Sequence, residues 1–500
     1  MVFSNAQWMT PPASDSVVSV GNSALFSTST QSLSDTPSSA GDLRDWTVSF
    51  WVYLNSQTAY QIIFSTEASG GNGAFQFGTI NNFSFLSHNS SGANHVFQVP
   101  TRAFRDIGWY HMVIRCSSTA NDGTAVYDNM NISIWANGEA QAVTSVPYNT
   151  PSGGPRMFSG GVQRIGAAVS TTPNYYVAEI VYLDGQKQNA DAFGQYDSTG
   201  TFWTPKSPDV IKELTFGTNG FYFDNATNPQ TDASGQGNNY TNNNSVTTTT
   251  HTPTSLSPVF NPLFRNAGTF ADGNRKLTFT GGSFDNQPVT LSIPSSGKWY
   301  HEFVCTTNAN NSEFGICDTD NVYLGVEGSS ASTGSDCYVY EDDGNKVNAG
   351  SSVSYGNAPT YTSGDVIGIA YDADNNAIWF SKNDSWIDGN GTDSSSTVKS
   401  EIEAGTTSSS AYTSISTEPK FFVASVASTG VATTRFESDY TGGIPTGFSA
   451  LNTTKIASAI TRTKSNLEEY FSTTTYEGNG AGQRVGKFLP FTNTFTVANS

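Results

Sequence analysis

Positive charge is in short supply in this 500-residue chain, with 23 Lys and Arg against 42 Asp and Glu and a formal net charge of −19. Nucleic-acid binding draws most of its affinity from cations that neutralise phosphates, and here they are scattered without a run, so no nucleic-acid partner is expected. Anionic membrane surfaces are disfavoured for the same reason. Long apolar runs are missing as well: no stretch of about 18 apolar residues occurs, so no membrane insertion is expected. The opening MVFSNAQWMT lacks the basic and apolar regions of a secretory signal, which implies folding in the cytoplasm where the chain is made, or export by another route. Cysteine is scarce: Cys116, Cys305, Cys317 and Cys337 form no Cys-x-x-Cys and no Cys/His cluster, which argues against a disulfide framework or a zinc site. Reduced, buried thiols are the expectation, the alternative being a Cys305–Cys317 bridge across a hairpin at TTNANNSEFGI.

What the chain has in quantity is aromatic side chains and turn formers, with 32 Phe, 22 Tyr, 9 Trp and 47 Gly. That mixture favours strands and turns over helices. Short Val/Ile/Phe/Tyr/Trp runs such as TVSFWVYL, WYHMVIRC, NISIWANGE and YVAEIVYLDG recur between Gly/Asn/Ser clusters, the spacing of a β-sandwich. In NISIWANG, Ile132, Ile134 and Ala136 share one face and Asn131, Ser133 and Trp135 the other, ahead of an Asn137–Gly138 hairpin turn. NADAFGQYD, about 189–197, is the one helical-looking piece there, with Asn189 as N-cap. The expected class is all-β: two tandem antiparallel sandwiches at 21–225 and 266–450, an N-terminal arm at 1–20, a polar linker at 226–265, and a connector with a short β segment at 451–500. The most informative local piece is DVIGIAYDADNNAIWFSKNDSWI, two alternating strands joined through a polar Asp372–Asn376 turn and closed by a second tight turn.

Chemistry is thinly supplied. A retaining glucanase needs two carboxylates about 5 Å apart, which on a strand calls for acids at i and i+2 or i+4. The acids that cluster, Glu341, Asp342 and Asp343, Asp318 with Asp320, and Asp372 with Asp374, sit at predicted turns, where Asp serves the backbone. No Gly-x-Ser-x-Gly lies between a strand and a helix, no phosphate-binding or dinucleotide loop occurs, and no EF-hand pattern is present. Asp372, Asp374 and Asn376 alternate as in a calcium loop but lack its Gly and closing Glu, so no cofactor is expected and a structural calcium ion is the one metal left open. Among five histidines, His111 and His301 fall inside strands and read as structural, and His88, His95 and His251 fall in polar loops. Trp46, Trp51, Trp109, Trp299, Trp379 and Trp386 read as core. No catalytic, cofactor-binding or metal-ligating residue is assigned, and the ligand-binding residues are left unknown. Loops rich in Asn, Ser, Thr, Tyr and Trp suit neutral sugars, held by hydrogen bonds and ring contacts.

Two likenesses are carried by particular runs. SLSDTPSSAGDLRDWTVSFWVYL, WYHMVIRC, ISIWANGE, VAEIVYLDGQKQNADAFGQYD and FGTNGFYFD resemble the concanavalin A-like (laminin G-like) lectin domains of virion proteins of tailed bacteriophages, particularly marine ones. GKWYHEFVC, SEFGICD, YLGVE, GDVIGIAYDADNNAIWFSKNDSWI, KFFVASV and ATTRFESD are similar to a SPRY domain, with Asp384 standing where Gly is usual, a residue that also adopts the left-handed turn. The resemblance implies a non-enzymatic protein of the virion surface, a tail fibre, adhesin or decoration protein synthesised in the bacterial host cytoplasm. It implies contacts with other virion proteins or a host-surface glycan, and a symmetric homo-oligomer, a trimer if it is a fibre. SPRY domains bind through variable loops, which directs attention to 338–358. A purely structural decoration subunit is the alternative. A polysaccharide-degrading enzyme is a third reading, which requires loss of sugar release on replacing an acid such as Glu302 or Asp342.

Overall fold

The computed structural model describes residues 18–459, 474–476 and 486–488. Within that span it leaves out 56–60, 69–70, 78–82, 89–93, 100–103, 105–107, 119–129, 148–157, 159, 167–172, 198–201, 263–267, 281–284, 310–311, 319–335 and 428. The arm at 1–17, Asp320 and the YLGVE run therefore lie outside the described residues. The chain is all-β and divides into two units, Met1–Leu256 and Ser257–Ser500.

Unit 1 is a sandwich of two eight-stranded antiparallel sheets. Asp45–Leu54, Gly108–Ser118 and Tyr175–Asp184 form the centre of one sheet. Gln61–Ala68, Gly71–Phe77 and Phe83–His88 form the centre of the other. Strand alternation sends Trp46, Val48, Phe50 and Val52 inward against Phe64, Phe75 and Phe85, in one continuous apolar core. Each such side chain taken from water contributes roughly 2–3 kcal/mol. Residues of the opposite parity, Trp51, Tyr53, Trp109, His111 and Tyr176, are buried as well. Their cover comes from later segments: Trp203 stacks on His111, and His251 packs against Tyr53, Trp109 and Tyr176. His251 is thus a buried ring rather than a loop residue.

The described part of the stretch 226–265 is not a free linker. Thr241–Asn243 pairs with Ser32–Asp35 in one sheet and Thr247–Thr249 with Ser23–Phe26 in the other, so one segment closes an edge of both sheets. Its Asn/Thr composition hid this, because short edge strands carry few core residues. Asp232 organises the polar DASGQGNN loop before it, accepting from the backbone N–H groups of Tyr222, Ser234 and Asn238 at 2.8–2.9 Å. NADAFGQYD is likewise corrected. Only Ala190–Ala192 is helical, as a 3-10 turn, and Asn189 makes no side-chain cap, its Oδ1 accepting instead from Arg115.

Unit 2 begins before the sequence boundary: Phe260 is fully buried in its core and bridges Val289. Lys298–Thr307, Val366–Asp372 and Ala377–Lys382 lie at the centre of one sheet, and Lys420–Val426, Ser312–Asp318 and Cys337–Glu341 at the centre of the other. Trp299, Phe303, Ile369 and Phe380 meet Phe314, Ile316, Tyr340 and Phe422 between them. The helix Ser395–Ala404 starts at Ser394, whose hydroxyl accepts from Thr397 N, and stops at Gly405 with φ 75°. Val398 and Ile402, four apart, face Trp379, Trp386 and Tyr300 on the outside of the first sheet. The hairpin turn at Asn383 and Asp384 has φ 51° and 65°, so Asp384 adopts the left-handed geometry expected of it. Beyond unit 2's sheets, Thr453–Ala459 is helical and Thr474–Tyr476 pairs with Gly486–Phe488.

The cysteines correct the sequence reading. Cys305 and Cys317 are close in the chain but their strands belong to opposite sheets, so no hairpin joins them. Cys317 stands directly opposite Cys337 on the neighbouring strand and is disulfide-bonded to it, while Cys116 and Cys305 are free and buried. Closing a loop with a sequence separation of 20 contributes about 3 kcal/mol by the chain-entropy argument.

Candidate binding surfaces

The histidine that most resembles a catalytic base is His111, whose Nε2 lies 2.9 Å from Ser49 Oγ. Its other nitrogen settles the direction of that bond. Trp203 Nε1, a donor only, donates its N–H to His111 Nδ1 at 2.8 Å, so Nδ1 accepts and the neutral ring carries its proton on Nε2. Nε2–H then donates to Ser49, the reverse of what an activated serine needs. Burial pushes the imidazole down to about 3, so it stays neutral. His301 repeats the pattern inside unit 2: its ring packs on Phe303 and Phe422 and bonds Thr434 Oγ1 at 2.8 Å, with burial again lowering it to about 3. His88 and His95 lie in the strands Phe83–His88 and Asn94–Gln98 rather than in loops.

The carboxylates are spent on loops. Glu302 is 1% exposed and accepts from Tyr300 OH at 2.8 Å, Arg435 Nη1 at 3.0 Å, Thr441 N at 2.9 Å and Gly442 N at 3.3 Å. Asp372 accepts from Asp374 N, Asn375 N and the Asn375 amide, and pairs with Lys298 at 3.1 Å. Asp374 accepts from Gly297 N. That turn uses its acids as backbone acceptors, and no group of three metal-ligating side chains occurs among the described residues. Asp342 accepts from the Asn308 amide, Asp343 from Asn345, and Glu341 from Ser352. Asp318 ends a buried strand rather than a turn. All six singled-out tryptophans are buried, as expected.

Residues 338–358 are strands more than loops: Cys337–Glu341, Asn345–Asn348 and Ser351–Ser354 make a meander at the sheet edge. The last strand is exposed on both faces, with Val353 45% exposed. On unit 1 the partly exposed rings are elsewhere. Trp135 stands on the outer face of Met130–Ala136, with the Arg115 guanidinium 5.0 Å from its ring centroid. Tyr196, 46% exposed, packs edge-on against Trp203 at 5.0 Å. The alternation in NISIWANG placed Trp135 outward. Nothing local in the sequence brought Arg115, 20 residues earlier, over it.

Comparison with known proteins gives two matches along the chain. Residues 27–180 match the Concanavalin A-like lectin/glucanases superfamily, and residues 298–396 match the SPRY domain. No curated protein matches. Among solved structures, the SPRY domain of human HERC1 is similar at 16% identity, covering 36% of this chain and 99% of that one with a TM-score of 0.26. A second human SPRY domain aligns at 13% identity over 33% of this chain and 94% of its own, with a TM-score of 0.24. A native heptameric SAP-like pentraxin from Limulus polyphemus aligns at 14% identity over 35% of this chain and 80% of its own, also at 0.24. The two family matches, a concanavalin A-like module followed by a SPRY module, suggest a binding or adhesion role.

Proposed function

We propose that this chain is a non-enzymatic surface protein of a tailed-bacteriophage particle, a tail fibre, adhesin or decoration protein, that binds host-surface glycan or other particle proteins through its two sandwiches. The tandem of a lectin-type and a SPRY-type module carries the reading, because each presents a rigid sandwich framework whose edges and loops are open to recognition. The site chemistry supports it: His111, His301, Glu302 and Asp372 are committed to neighbours that hold loops and packing. The particle assignment leans on the virion-type runs quoted above and on the acidic composition, which keeps copies apart yet is screened over about 10 Å at 0.1 M salt. The Cys317–Cys337 bond suits a protein that is made in the cytoplasm and works outside it after release. A symmetric oligomer multiplies individually weak sites. Gold-labelled antibody against this chain is expected to mark intact particles of the virus that encodes it, at fibre tips for an adhesin or over the shell for a decoration subunit. Particles that carry no label contradict the assignment.

A further inference from the structure

Arg115 is an anomaly in a chain so rich in acids. Arg275 holds Asp272 and Asp439, and Arg435 holds Glu302, each at 2.8–3.0 Å. Arg115 makes no ion pair among the described residues. Its Nη1 donates to Asn189 Oδ1 at 2.5 Å and its Nη2 to Ser133 Oγ at 3.1 Å, both neutral oxygens, and Nε has no acceptor. A guanidinium has five N–H donors, so among the described residues one on each terminal nitrogen is uncommitted and no carboxylate pairs with the charge. The two bonds and the Trp135 ring beneath hold the fork in one orientation at partial exposure, with little rotamer entropy left to lose on binding.

The neighbouring surface is built rather than incidental. Trp203 is wedged where a Cβ on Gly138 or Gly194 would come within 2.3 or 2.5 Å of its ring, and so needs glycine at both places. Gly138 sits in the hairpin turn three residues after Trp135, and Tyr196 packs edge-on against Trp203. A preorganised cation beside partly exposed aromatic rings and amide groups is complementary to a ring that carries a carboxylate.

We propose that the Arg115–Trp135 face of unit 1 binds the uronate residues of an acidic polysaccharide, the carboxylate meeting the free N–H groups of Arg115 and the C–H face of the sugar meeting the aromatic rings. This rests on the glycan-binding reading above and narrows it to a charge class. The −19 chain repels a polyanion at long range, but screening confines that repulsion to about 8 Å at 0.15 M salt, where the local fork decides.

The test is isothermal titration of the full chain at 0.15 M salt with sodium alginate oligosaccharides, and with neutral dextran oligosaccharides of matched length. Wild type is expected to bind the uronate series and not the neutral one. Arg115→Gln is expected to weaken binding roughly ten- to hundred-fold, the loss of one charge-assisted contact. Arg115→Lys should retain part of the affinity, and Trp135→Leu, which keeps an apolar side chain but removes the aromatic face, should also weaken it. Trp135→Leu carries the test alone if Arg115→Gln loses its thermal transition. Uronate binding unchanged in both variants, or a preference for dextran, overturns this inference and leaves glycan binding standing. Wild type that binds no glycan, from these series or from host surface extracts, overturns both.

Discussion

Glu302→Ala is expected to destabilise unit 2 by about 3–5 kcal/mol, because it strips four donors of one acceptor and leaves Arg435 charged and partly buried without a carboxylate. For a unit of this size that corresponds to a fall of roughly 10 °C in its thermal transition. The loop from Arg435 to Gly442 should lose its hydrogen-exchange protection first, since Glu302 is what ties Thr441 and Gly442 to the sheet. Differential scanning calorimetry reads the result, with the unit 1 transition as an internal control. Glu302→Gln keeps the shape but not the charge and should cost less. The enzyme reading makes the opposite forecast for the same substitution: sugar release is lost and the melting temperature stays put.

The second large effect is on pH. His111 and His301 are held neutral in the fold down to about 3, whereas an unfolded histidine takes a proton near 6.5. Between those values the unfolded chain binds more protons, so each histidine removes stability as pH falls from about 6.5 towards 3. The slope is at most about 1.4 kcal/mol per pH unit for each histidine. Unit 1 has an opposing group. Glu179 sits at a break in the register of Tyr175–Asp184 with φ 51°, and its carboxylate takes the Tyr222 hydroxyl. Burial pushes Glu179 up to about 8, aided by Asp224 and opposed by the Tyr222 bond and Lys212. The folded state then keeps a proton that the unfolded chain gives up near 4.5, so the contribution of Glu179 is full below that value and is lost as pH rises through 8. With respect to these groups, unit 1 should gain stability up to about pH 4.5, level off, and decline above 6.5, while unit 2 gains up to 6.5. Urea unfolding followed at stepped pH checks this. Glu179→Gln should flatten the alkaline limb of unit 1 and His111→Gln its acid limb; unchanged slopes contradict the assignments.

What could be read in advance follows from which features are local. Strand parity is local, so the inward Ile132, Ile134 and Ala136, the outward Trp135 and the Asn137–Gly138 turn stand as the alternation required. Turn chemistry is local too, and Asp372 and Asp384 do the backbone work that their positions asked of them. Edge strands without core residues carry no such signal, which is why Thr241–Asn243 and Thr247–Thr249 read as linker. The remaining surprises are all long-range. Cys317 finds Cys337 through strand register, His251 is buried because a segment from the end of unit 1 folds over its sheet, and Arg115 meets Trp135 and Asn189 from three separate parts of the chain. The candidate surface was therefore legible only in its composition. Its residues became identifiable once the topology had brought them together.

The most direct test of a recognition role is equilibrium binding of the purified full chain to cells of the proposed host and to proteins of the proposed particle, with reducing-sugar release monitored in the same samples. Saturable binding to one or the other is expected, with competition against particle adsorption if the chain is an adhesin, and no sugar released. Absence of binding to either, or sugar release that disappears in Asp342→Ala while the fold is intact, would contradict it.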